Sequence, residues 1–158
     1  MKVVFLDIDG VLNSRSYITK MGELWDDPQH QIDPAAVIRL NRLTDATGAS
    51  IVVSSTWRLA FRYYLDKLQA CMASYGITAP VVGMTPDFVV PTDGQVLLAT
   101  GTRGDEITAW LDDNNVIRFV ILDDESVPGL SNYLIKTTFD DGLQDDHVDR
   151  AIALLGRK

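Results

Sequence analysis

Val3-Val4-Phe5-Leu6-Asp7-Ile8-Asp9-Gly10 is the stretch that decides how this chain folds. Val3 to Leu6 is a short apolar run of β-branched and aromatic side chains, the pattern of a parallel strand buried on both faces. It runs directly into two carboxylates. Like charges this close resist joint ionisation, so Asp7 and Asp9 at a buried strand end destabilise the fold unless something neutralises them. A divalent cation does so. In open α/β sheets the crevice beyond the strand carboxyl ends is where ligands bind. The stretch therefore reads as a central strand and the floor of a metal-dependent site.

Outward from that strand the chain alternates. Residues 11–32 are mixed polar and aromatic and read as an irregular loop or small hairpin, a flap beside the strand end. Asp33-Pro34 opens a helix, with Asp as N-cap and Pro at the first helical position. Val37, Leu40, Leu43 and Thr47 keep helical spacing and Gly48 stops it. Ser50 to Val53 is the second strand. A helix is expected over about residues 58–75, with Leu65, Leu68, Met72 and Tyr75 on one face and Cys71 as a buried small hydrophobe. Pro80 to Gly83 reads as a third, short strand. Residues 85–102 form a long Gly/Thr/Pro-rich segment with a hairpin placed around Asp93-Gly94. A helix from Gly104 to Asp113, a strand from Ile117 to Leu122, a weaker strand from Tyr133 to Lys136 and a closing helix through Val148, Ala151, Ile152 and Leu155 complete the chain. Strands alternating with helices predict an α/β fold: a three-layer, Rossmann-like parallel sheet of about five strands with helices on both faces.

The 158 residues fit one domain spanning 1–158. The net charge of −8 argues against broad, sequence-blind binding along nucleic acid, which needs a basic surface, but leaves room for a few arginines to hold a nucleotide or a chain end. Cys71 is the only cysteine, so no intramolecular disulfide forms and a reducing, cytoplasmic setting is expected. Asp7 breaks the first apolar run too early for a signal peptide, and no run reaches membrane-spanning length.

Acidic pairs recur along the chain, and most read as solvated capping charge: Asp26-Asp27, Asp112-Asp113, Asp140-Asp141 and Asp145-Asp146 lie in loops or at helix ends. Asp123-Asp124 differs because it follows Phe119-Val120-Ile121-Leu122, which puts it at a strand carboxyl end like Asp7 and Asp9. Ser54 ends the second strand at the same rim, with Ser55 and Thr56 one and two steps on. Arg103 precedes a helix start, so its guanidinium and the helix dipole can face one anion.

The order DIDG, VVSS, RGDEI, FVILDD resembles the haloacid dehalogenase (HAD) superfamily of phosphohydrolases. Within it, VVSSTWR, RGDEI followed by Trp110-Leu111, and Gly142-Leu143 look like HAD domains associated with RNA-repair proteins, related in chemistry to the 3′-phosphatase half of polynucleotide kinase-phosphatases. The resemblance implies Asp7 as the nucleophile that forms an aspartyl-phosphate, and Asp9 as the proton carrier. It implies Mg²⁺ held by the Asp7 carboxylate, the Asp9 backbone carbonyl and Asp123, with Asp124 supporting through water, an oxygen shell that suits this ion. Ser54 or Ser55, with Arg103, would bind the phosphate oxygens. The segments between these motifs are filled by helices and strands, which leaves a minimal cap or none and a site open to bulky substrates.

Several neighbours have two readings. Trp57 can stack on a base or pack under its helix; Arg58 can reach a second phosphate or be solvated. Trp25, outside any expected helix, is the better stacking candidate, against the alternative of covering a local apolar cluster. Asn13 suits turn stabilisation more than substrate contact. Trp110 suits core packing; His147 reads as surface on the last helix, and His30 as a solvated loop residue, against the alternative of touching substrate. The expected function is Mg²⁺-dependent hydrolysis of a phosphomonoester, on a nucleotide or a polynucleotide terminal 3′ phosphate. The alternatives are a small-molecule phosphatase or mononucleotidase, and a non-catalytic HAD-like docking module.

Overall fold

A computed structural model describes residues 1–61, 64–91, 97–99 and 101–157. Its main sheet has five parallel strands: β1 (Lys2–Leu6), β2 (Ser50–Val53), β3 (Val81–Met84), β6 (Arg118–Asp123) and β7 (Leu134–Lys136), in spatial order β3-β2-β1-β6-β7. The chain reverses direction of travel across the sheet at β1, between β2 and β6, so the switch point falls where Asp7 leaves the strand. Val3 pairs with Ser50 on one side and Phe119 on the other, which makes β1 central and explains its unbroken apolar run.

Strand alternation divides the core into two layers. Val4, Leu6, Ile51, Val53, Val120 and Leu122 face α2 (Pro34–Thr47), α3 (Leu65–Ser74) and α5 (Asp145–Leu155). Val3, Phe5, Val52 and Ile121 face Ile107 and Trp110 of α4 (Arg103–Asp112). Trp110 meets Phe5 edge to face at 5.5 Å, the core role expected of it. The expected α/β architecture is present, and no separate cap domain is seen among the described residues. No helix is long and apolar enough to cross a membrane.

Three expectations are corrected. Residues 11–32 are not an irregular loop or hairpin: they hold α1 (Arg15–Met21), capped by the Ser14 hydroxyl, and two 3-10 turns, Gly22–Asp26 and Pro28–His30. The helix expected from about residue 58 divides into a 3-10 turn, Thr56–Phe61, and α3, because Arg58 turns inward to bond backbone carbonyls. His147 is on the last helix as expected but is half-buried rather than at the surface; its Nδ1 accepts from the Gln144 N–H and caps α5. The long segment after β3 pairs β4 (Val89–Pro91) with β5 (Leu97–Ala99) antiparallel, while the turn expected at Asp93-Gly94 lies outside the described residues.

Candidate active site

The carboxyl ends of β1, β2 and β6 deliver the expected groups to one place. Asp7 stays in register for one more bond, its N–H donating to the Leu122 carbonyl at 2.9 Å, so its side chain emerges beside the end of β6. There Asp7, Asp123 and Asp124 bring carboxylate oxygens within 4.8 Å of one another. Gly10, at φ 75°, makes the turn out of β1, and a Cβ at this position would collide with the Asp124 carboxyl. The Thr137 hydroxyl, just past β7, donates to the Gly10 carbonyl at 2.7 Å and ties that turn to the sheet.

Arg103 is the first residue of α4, behind the Thr102 N-cap. Its Nη1 lies 3.4 Å from Asp7 Oδ1, 3.3 Å from Asp123 Oδ2 and 3.4 Å from Ser54 Oγ. One guanidinium thus faces two of the three clustered carboxylates and a hydroxyl. Burial pushes the Asp7 carboxyl up to about 7, against the opposing pull of Arg103 and the bond from Ser55, with Asp123 adding to the rise. Asp123 and Asp124 are raised too, first by burial. The site therefore has an excess of negative charge that Arg103 does not offset. An all-oxygen donor set of this kind fits a hard divalent cation such as Mg²⁺.

Asp9 stands apart from that cluster. Its Oδ1 accepts from Asn13 Nδ2 at 2.7 Å and its Oδ2 from the Trp57 indole N–H at 3.2 Å. Asn13 also accepts from the Gly10 N–H, which makes it the turn residue expected. The two serines separate in role: Ser54 sits beside Arg103, whereas Ser55 bonds the Asp7 carboxyl, and Thr56 is exposed at the rim.

The remaining candidates are placed as follows. Arg58 is not solvated: it is 5% exposed, and it donates to the Thr85, Ser55 and Pro86 carbonyls and pairs with Glu106 at 2.7 Å. Trp57 is half-buried and packs edge to face on Tyr75 at 6.5 Å. Trp25 lies within the first 3-10 turn, not outside helical structure, and meets Tyr17 edge to face at 6.3 Å.

A cleft of about 310 Å³ opens over Asp7, Asp9, Arg103 and Asp124, with Thr56, Glu125 and Phe139 completing its wall. A larger groove of about 420 Å³ along Ile117, Phe119, Tyr133 and Leu154 carries no acidic cluster. Phe139 is 39% exposed, with the Arg15 guanidinium over its ring at 5.7 Å and Arg15 held by Asp140 at 3.0 Å. Sequence reasoning passed over it, although its place just past the end of β7 was the available signal. Glu106, three residues after Arg103 on the same helix, and Gly104, where a Cβ would collide with the Pro128 carbonyl, were also passed over.

Comparison with known proteins adds one match. The family model described as the HAD domain in Swiss Army Knife RNA repair proteins covers residues 3–148. No curated protein and no solved structure matches the chain.

Proposed function

The chain belongs to the family of HAD domains found in Swiss Army Knife RNA repair proteins, and from that footing we propose that it is a Mg²⁺-dependent phosphomonoester hydrolase acting on nucleic-acid 3′ ends. The observation that carries the proposal is the meeting of Asp7, Asp123 and Asp124 with Arg103 at the strand carboxyl ends. Asp7, Asp123 and Asp124, with the Asp9 main-chain carbonyl, would hold the cation. Bound there, it supplies charge compensation for the carboxylates and the phosphate.

In the first step a carboxylate oxygen of Asp7 attacks phosphorus; the new O–P bond forms as the ester P–O bond breaks. Asp9 gives its proton to the departing alkoxide oxygen. In the second step water attacks phosphorus, Asp9 takes the water's proton, and the Asp7 O–P bond breaks to release phosphate. Arg103 and Ser54 hold non-bridging oxygens, where fixed donors stabilise the dispersed charge of the transition state.

Three features support a nucleic-acid end as substrate. The family is one of RNA repair proteins. The cleft lacks a covering domain among the described residues, and Phe139 at its wall offers an aromatic face on which a base can stack. The charge of −8 favours contact with the terminal nucleotide over contact along the strand.

The test is phosphate release with Mg²⁺ from 3′- and 5′-phosphorylated DNA and RNA oligomers, mononucleotides, sugar phosphates and p-nitrophenyl phosphate. Fastest release from a 3′-phosphorylated oligomer is expected. Preference for mononucleotides or sugars would overturn the end-processing assignment and leave a small-molecule phosphatase. No turnover of any substrate would leave a docking module.

A further inference from the structure

Asp9 is held by more than its own strand end. Its two carboxyl oxygens each receive one donor, Asn13 Nδ2 on Oδ1 at 2.7 Å and Trp57 Nε1 on Oδ2 at 3.2 Å. These donors come from different parts of the chain. Asn13 belongs to the turn that follows β1 and is itself fixed by the Gly10 N–H at 3.1 Å. Trp57 belongs to the 3-10 turn after β2, forty-eight residues away in sequence. That turn is anchored beneath by the buried Arg58, and the indole leans on Tyr75, whose hydroxyl donates to the Pro28 carbonyl at 2.6 Å. The indole is therefore gripped by the core before it touches Asp9.

We propose that Trp57 is a positioning residue for Asp9: its N–H fixes the plane of the Asp9 carboxyl so that the proton is presented to the leaving oxygen. The proposal rests on Asp9 being the proton carrier. An indole N–H is a donor only, so it occupies a lone-pair direction of Oδ2 and cannot take the proton itself. With one donor on each oxygen, rotation about the bond to the carboxyl group breaks both bonds. The proton is then confined to the directions left free, and it leaves along one of them to the alkoxide oxygen as the P–O bond breaks. Trp57 is not among the side chains that line the cleft, so its route to the reaction is through Asp9. This is a different use of the indole from stacking on a base.

Leaving-group dependence separates the proposal from a packing role. Proton donation matters most when the departing alkoxide is strongly basic, as from a sugar hydroxyl, and least for p-nitrophenolate. Trp57→Phe keeps the ring and deletes the N–H. The expected result is a fall in kcat/KM of roughly 10- to 100-fold for an alkyl or sugar phosphate, a part of what general acid catalysis contributes. For p-nitrophenyl phosphate the fall is several times smaller. Asp9→Asn should tilt the series in the same direction and further, and Asn13→Ala, on the other oxygen, should tilt it likewise. The ratio of the two substrates is independent of how much protein is folded, so partial misfolding leaves it readable. An equal fall for both substrates in Trp57→Phe overturns the proposal and leaves Trp57 as packing alone. A wild-type protein that turns over neither substrate removes the phosphatase assignment first, an outcome visible before any variant is made.

Discussion

Asp7 is a carboxyl that the protein buries among others of its own kind, and that has consequences away from catalysis. Its folded-state value of about 7 stands above the ordinary 3.8 of an unfolded chain, so between those limits the folded state binds the extra proton. Stability then falls as pH rises through that window. Asp123, Asp124 and Glu106 shift in the same direction and reinforce the trend. In chelator, thermal unfolding should move to lower temperature from about pH 4 to about pH 7, and Mg²⁺ should restore it most at the upper end. Asp7→Asn should flatten the dependence while lowering turnover by at least about a thousandfold; unchanged pH behaviour in this variant would contradict the burial of an under-compensated charge. The residues at the strand ends were legible in sequence because position relative to an apolar run is a local property. The roles of Arg58 and Trp57 were not, since their partners, the Thr85 and Pro86 carbonyls and the Asp9 carboxyl, are brought to them only by the folded chain.

At the scale of elements, α4 is the piece that aims Arg103, and two contacts seat it. Gly104 lets the first turn approach the Pro128 carbonyl, and Glu106 is locked to Arg58 in a pair with side-chain exposures of 6% and 13%. Removing one partner of a buried pair leaves a charge uncompensated, so Glu106→Ala should cost about 3–5 kcal/mol in denaturant unfolding. A cost near zero would show that the pair is dispensable. Strands and capped helices were readable from periodicity and from Asp33-Pro34 and Gly48. The flap segment and the start of the second helix were not. Helix α1 has seven residues, with only Tyr17 buried, so it shows too little periodicity to detect. The 3-10 turn at Thr56–Phe61 exists because Arg58 spends its donors on backbone, a tertiary effect.

The whole molecule is a parallel sheet whose switch point carries the acidic cluster, with α2, α3 and α5 on one face and α4 on the other. Its cleft meets solvent directly, and Phe139 is the aromatic that lines it among the described residues. Phe139→Ala should therefore lower kcat/KM for a 3′-phosphorylated oligomer by roughly 5- to 100-fold, the range of one base–aromatic stack, and lower it far less for an abasic sugar phosphate. Equal losses on the two would remove base stacking as its role. Everything proposed for the site depends on Asp7 becoming covalently phosphorylated. The most direct measurement mixes the protein with Mg²⁺ and an oligonucleotide carrying a radiolabelled 3′ phosphate, quenches in acid during the first turnovers, and maps the label on the chain. A hydroxylamine-sensitive label on Asp7, absent from Asp7→Asn, is the predicted result. Steady release of phosphate with Asp7 unlabelled, or with the label on another residue, would contradict it.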